Sequence, residues 1–179
     1  MKNAMIPAWI DGALTPVEKL AVHRRGLRHK AVSVFVLDRS GADLRLLIQK
    51  RAAGKYHTPG LWANTCCTHP DWDEEPRDCA QRRLREELGI TGLDPVFRDR
   101  VEYRADVGGG MVEHEVVDIF TAEAAQTLAL APDPDEVSDL RWVAMADLQA
   151  EIAADPERFT PWLRIYLAEH RTSILGTDG

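Results

Sequence analysis

The chain has 179 residues, 45% of them hydrophobic and 28% charged, with a formal net charge of -7. This is the size of one ordinary domain, enough to bury a core without metal or disulfide scaffolding, and its balance excludes a disordered or fibrous chain. The acidic excess argues against a broad nucleic-acid-binding face, although it leaves room for a local cluster of Lys and Arg around a small anion.

The opening MKNAMIPAWIDG has no continuous apolar stretch of the signal-peptide kind, and nowhere does an apolar run approach the ~20 residues needed to span a bilayer. The cysteines, Cys66, Cys67 and Cys79, match neither a disulfide framework nor a pair of zinc knuckles. Reduced thiols in a cytoplasmic protein are therefore expected. After this short opening segment, residues 31–37 (AVSVFVL) read as a buried strand, DRSGAD as a turn and residues 44–50 (LRLLIQK) as the hairpin partner. Residues 51–70 are rich in Gly, Pro, His and Cys and read as loops around one short strand, LWANTCC. Residues 76–88 form a helix, with Pro76 in the first turn and Gly89 just past the end. Strands at 95–105 and 111–120 flank DVGGG, another is expected at 137–143, and residues 145–155 and 160–171 show helical apolar spacing. The order of strands, helix, strands and helices predicts an α+β fold. No repeat, low-complexity tract or linker suggests a second domain, so residues 1–179 are expected to form one.

Two short segments carry candidate chemistry. In Asn64-Thr-Cys-Cys-Thr-His-Pro70, period-two spacing lets Cys67 and His69 share a face, although an isolated CxH is more often packing and loop. In Val112-Glu-His-Glu-Val116, Glu113 and Glu115 share a strand face about 7 Å apart, with His114 opposite. That face is either solvated or binds something. With His23, His29 and His69 the carboxylates make a mixed N/O set suited to a divalent transition metal such as Mn, Zn or Fe. Spacing alone leaves their convergence open.

The helix Arg82-Arg-Leu-Arg-Glu-Glu-Leu-Gly-Ile90 places Arg82 and Glu86, and Arg83 and Glu87, at i,i+4, which surface ion pairs would explain. It also resembles the Nudix box, whose glutamates hold a divalent cation against a diphosphate. Glu74, Arg82, Leu84, Glu86, Glu87, Gly89 and Ile90 fall in register, whereas Thr68 stands for the leading Gly and Arg83 for a metal-binding Glu. The second departure suits holding a diphosphate better than cutting one.

These pieces, together with Leu-Arg-His29, Lys50-Arg51, Pro-Gly-Leu-Trp-Ala-Asn64, Tyr103-Arg104-Ala105 and Phe-Thr-Pro-Trp162, resemble the metal-dependent isopentenyl-diphosphate isomerases from Lys19 to Trp162. The resemblance implies a single Nudix-like α/β/α sandwich domain with a mixed β-sheet. It implies Cys67 and Glu115 as opposed proton-transfer groups, Tyr103 as their assistant, and Trp162 facing a carbocation. It further implies a Mn2+ or similar ion on His23, His29, His69, Glu113 and Glu115, with His23 placed in a loop. Glu87 would meet a Mg2+ carried by the substrate diphosphate, whose basic contacts would be Lys19, Arg51, Lys55 and Arg83. Cys66 matches no essential position. The implied partner is the small-molecule diphosphate, with no nucleic acid, membrane or obligate protein partner indicated. Two other functions stay open: a pyrophosphohydrolase acting on a nucleotide or prenyl diphosphate, and a non-catalytic module binding zinc or diphosphate through Cys66, Cys67 and His69. Which of Cys67 and Glu115 protonates in the forward direction is not decided by the residues.

Overall fold

The computed structural model describes residues 4–177. It opens with a hairpin of β1 (Met5–Ile10) and β2 (Ala13–Glu18), where no strand was expected. The cause is the two-residue turn Asp11-Gly12: both residues have positive φ, 50° and 83°, the conformation that suits a tight hairpin and that Asp-Gly adopts readily. Helix α1 (Lys19–Arg25) follows directly, its first turn capped by the Glu18 carboxylate, which accepts from the amides of Leu20 and Ala21 at 3.1 and 2.7 Å. His23 is therefore on a helix and not in a loop.

β3 (His29–Asp38) is the spine of the fold. It runs parallel to β8 (Met111–Glu123) and antiparallel to β1, β4 (Arg45–Arg51) and β6 (Cys66–Thr68). β4 also pairs with β5 (Trp62–Ala63) and β9 (Val137–Ala144), and β8 with β7 (Val96–Gly108), completing a mixed sheet. The run expected as one strand at LWANTCC is split into β5 and β6. Between them Thr65 spans the gap where β3 and β4 diverge, its hydroxyl accepting from Val36 N at 2.8 Å and donating to Leu47 O at 2.6 Å.

β3 is apolar at nearly every position because both of its faces are covered. Val32, Val34 and Val36 pack with Leu84 and Leu88 of α2 (Pro76–Leu88). Ala31, Phe35 and Leu37 pack with Leu148 of α3 (Met145–Ala154), Leu163 and Tyr166 of α4 (Pro161–Glu169), and Ile174 of α5 (Arg171–Leu175). A 3-10 turn at Pro156–Arg158 separates α3 from α4, and the helix expected over 160–171 breaks at His170 into α4 and α5. Helices thus cover both sides of the sheet, the expected α/β/α sandwich. Among the described residues no helix is long and apolar enough to cross a membrane.

Candidate active site

Strand register builds the site. His29 on β3 lies opposite Glu115 on β8, and Glu115 lies opposite Tyr103 on β7, so three adjacent strands present an imidazole, a carboxylate and a phenol in a row. Glu113, two residues from Glu115 on the same buried face, joins them, while His114 points away and meets Glu102 at 3.3 Å. On the other side of β3, Ser33 lies opposite Cys67 of β6. β6 is short, but its alternation decides two roles. Cys66 turns into the core beside α2 and Cys67 turns toward the cleft.

His23, His29, His69 and Glu113 converge, each offering a ligand atom within 4.8 Å of the others. His23 Nδ1 is 2.6 Å from the Lys19 carbonyl and His29 Nδ1 is 2.8 Å from that of Leu27. Carbonyls only accept, so both Nδ1 atoms carry protons and both Nε2 atoms face inward, the arrangement that orients metal-binding imidazoles. Glu115 Oε1 reaches the cluster at 3.0 Å from His69 Nε2 and 3.6 Å from His29 Nε2. Buried His23 Nε2 and Glu113 Oε2, 3.2 Å apart, have no well-directed hydrogen bond. Orphaned donor atoms of this kind fit a divalent cation among N and O ligands.

Burial opposes a charge on His29, but Glu113 and Glu115 outweigh it and raise its pKa to about 10. Burial likewise opposes ionisation of Glu113, yet the imidazoles of His23, His29 and His57 hold it well below the carboxylate range. Glu115 is pushed up by burial and by the Glu113 charge. Neighbouring carboxylates thus divide into one fixed anion and one group able to carry a proton. Tyr103 donates to Glu115 Oε2 at 2.7 Å.

The Cys67 sulfur accepts from the Trp162 indole N–H at 3.0 Å and from the Ser33 hydroxyl at 3.6 Å, while its own proton goes to Asn64 Oδ1 at 2.8 Å. Burial, with the Glu115 charge adding to it, pushes the thiol pKa up to about 12. Cys67 therefore holds its proton at neutral pH.

Cys67, Glu115, Tyr103 and Trp162 line one cleft, with Lys19, Arg51, Lys55 and Arg83 around it. Burial and the like charges of Lys55 and Arg83 lower the Lys19 pKa, so the cations are crowded enough to destabilise one another. Arg51 is 6% exposed, lies 5.3 Å over the Trp162 ring, and its Nε has no partner. Such a set is complementary to a polyanion. Glu87, buried beneath it, pairs with Arg83 at 2.5 Å. Lys55 is ion-paired to Glu136, which Arg83 also meets at 3.4 Å. Glu86 instead faces outward, shared by Arg82 and Arg83, and Arg82 is clamped by Glu74 at 2.6 and 2.7 Å. A single carboxylate of the Nudix-like helix therefore enters the cleft, compensated by Arg83.

The residues to which the resemblance gives a proton-transfer, diphosphate or metal role thus line the cleft or stand directly behind it in the His/Glu cluster, whereas Cys66, Glu74, Arg82 and Glu86 lie outside it. His57, Tyr56, Ser33, Asn64 and Tyr166 were given no role. Ser33 could have been noticed as the one polar residue in AVSVFVL. His57 gave no periodic signal: it lies in the loop after β4, with Nε2 2.7 Å from Glu113 Oε1 in a bent contact.

Residues 27–163 match the NUDIX domain family. Among curated proteins, the isopentenyl-diphosphate Delta-isomerase of Cereibacter sphaeroides is 69% identical over 96% of this chain and 95% of its own. Those of Dinoroseobacter shibae and Rhodobacter capsulatus are 66% and 58% identical over 97% of this chain and 96% and 97% of theirs. In shape, a Deinococcus radiodurans protein superposes with a TM-score of 0.71 at 14% identity, covering 93% of this chain and 99% of that one. A MutT NUDIX hydrolase from Burkholderia pseudomallei gives 0.60 at 26% identity, covering 80% and 98%.

Proposed function

Since the chain belongs to the isopentenyl-diphosphate Delta-isomerase family, on a NUDIX domain, we propose that it interconverts isopentenyl and dimethylallyl diphosphate by proton transfer between Cys67, Glu115 and the substrate carbons. The observation carrying this is that a thiol and a carboxylate, each pushed toward its protonated form by burial, line one cleft beside a cluster of cations, in a chain that is acidic as a whole.

Lys19, Arg51, Lys55 and Arg83 hold the diphosphate, which leaves the five-carbon unit against Trp162, Tyr103 and Cys67. The forward reaction adds a proton to the terminal methylene, passes through a tertiary carbocation and removes a proton from the methylene next to the alcohol carbon, so atoms balance without redox. One of Cys67 and Glu115 gives a proton and the other takes one. Tyr103 steadies Glu115 through its 2.7 Å bond, and the Trp162 face stabilises positive charge by about 2 kcal/mol when desolvated. Enclosure by Trp162 and Tyr103, 2% and 7% exposed, keeps water from trapping the cation. A Mn2+ or similar ion on His23, His29, His69, Glu113 and Glu115 would supply Lewis-acid assistance, and a Mg2+ on the diphosphate would be met by Glu87.

The cleft draws on residues from Lys19 to Trp162, which supports one functional domain over residues 1–179. The three free thiols fit a reducing cytoplasm.

Incubating isopentenyl diphosphate with the protein, Mg2+ and Mn2+ in deuterated water tests the assignment. Wild type should give deuterated dimethylallyl diphosphate, and Cys67→Ala should be slower by about 10²–10⁴-fold. No deuterated product from wild type, or an equally fast variant, would overturn it. Released phosphate would point instead to a pyrophosphohydrolase.

A further inference from the structure

We propose that His57 is a positioning residue for the metal centre, holding one oxygen of Glu113 so that the other is presented to the His23, His29 and His69 imidazoles. The proposal rests on the functional reading of that cluster.

The two oxygens of Glu113 have separate neighbours. Oε2 lies 3.2 and 3.4 Å from the Nε2 atoms of His23 and His29, whereas Oε1 lies 2.7 Å from His57 Nε2. On the far side of the ring, Arg51 Nη2 is 3.3 Å from His57 Nδ1 and donates to the His57 carbonyl at 3.2 Å. A guanidinium has no lone pair to offer, so Nδ1 must accept. The ring proton then sits on Nε2, facing Glu113. Because the Nε2 contact is bent, its hold on Oε1 is mainly electrostatic.

The loop keeps this ring in place. His57 is 5% exposed and packs edge-on against Tyr56 and Trp162, at 4.4 and 6.0 Å between centroids. The next residue, Thr58, is buried with φ of 46°, a left-handed conformation that a β-branched residue adopts only when its surroundings impose it. A chain thus runs from a diphosphate-binding cation, Arg51, through a neutral imidazole to a metal-binding carboxylate. Partners that orient metal ligands in this way commonly matter to affinity nearly as much as the ligands do.

The test titrates Mn2+ alone into the chelator-stripped full-length chain by calorimetry. His57→Ala should weaken Mn2+ binding by about 10–100-fold with the circular dichroism spectrum unchanged. His57→Gln, whose amide N–H reaches the Nε2 position, should bind more tightly than His57→Asn, whose amide stops short. At saturating Mn2+, His57→Ala should recover most of its kcat on isopentenyl diphosphate. Equal Mn2+ affinity in wild type and His57→Ala overturns the proposal, as does an effect confined to KM, which would place His57 in the service of Arg51 alone. Should His57→Ala fail to fold, equal affinities for the Gln and Asn variants overturn it. A wild type that takes up no Mn2+ removes the metal reading and this proposal together. A wild type that binds Mn2+ with the expected variant order, yet forms no dimethylallyl diphosphate, sinks the functional reading and leaves the role of His57 standing.

Discussion

At Cys67 one sulfur meets an indole donor, a hydroxyl donor and an amide acceptor, and the acceptor is the one that fixes where its proton points. With the thiol pKa pushed up to about 12, the reactive thiolate is scarce at neutral pH and grows roughly tenfold with each pH unit up to that value. At pH 8, alkylation of Cys67 by iodoacetamide should therefore be slower than that of free cysteine by on the order of 10³-fold, and should accelerate as pH rises. Peptide mass mapping over time would check this; a rate like that of free cysteine would contradict a burial-held proton. Cys67 and Glu115 stand in short spaced motifs, CxH at the end of one strand and ExE within another, but it was the family resemblance that singled them out as a pair. His57 was not legible, since it is brought to Arg51 on β4 and Glu113 on β8 by a loop whose path no periodic pattern encodes.

Among the elements, α2 shows how a helix end ties the Nudix-like segment to the fold. Gly89 caps it with φ of 68°, its amide donating to Arg85 O at 3.0 Å and that of Ile90 to Leu84 O at 3.1 Å. A Cβ added at Gly89 would lie 2.7 Å from Ala131 Cβ and 3.0 Å from its carbonyl oxygen. Gly89→Ala should therefore destabilise the protein by about 1–3 kcal/mol, from left-handed strain and displacement of the Ala131 segment together. Urea unfolding would measure it, and a change under about 0.5 kcal/mol would show that the segment yields freely. α2 itself was readable from Pro76, its helix formers and Gly89. The β1–β2 hairpin and α1 were not read, although Asp11-Gly12 is a strong turn signal and Lys19 and His23 stand at i,i+4. The strands around that turn are only six residues each, and α1, only seven residues long, gets its order from the Glu18 cap and tertiary packing.

For the whole molecule, the α+β order was legible because β3 is an apolar run and the helices after β9 keep their spacing, whereas the sandwich itself was implied by the family resemblance. What the pattern could not supply was registry, and registry is what aligns His29, Glu115 and Tyr103 across three strands. The two large apolar clusters, one on each side of the sheet, do not depend on the His/Glu cluster, so the fold should survive loss of the ion. Chelation should leave the far-ultraviolet spectrum intact and lower Tm by roughly 5–10 °C relative to protein holding free ion at about 100 times its Kd. Global unfolding on chelation would instead favour a structural metal module.

The order in which the site is laid down along the chain follows from the same sheet. Every candidate ligand of the cation lies between His23 and Glu115, whereas the indole that roofs Cys67 belongs to α4, near the end of the described chain. During synthesis the imidazoles and carboxylates therefore leave the ribosome before Trp162, at about 5–20 residues per second. A nascent chain arrested in that interval would carry its metal ligands with the cleft still open to water, and only the last helices would turn an ion-binding surface into an enclosure fit for a carbocation.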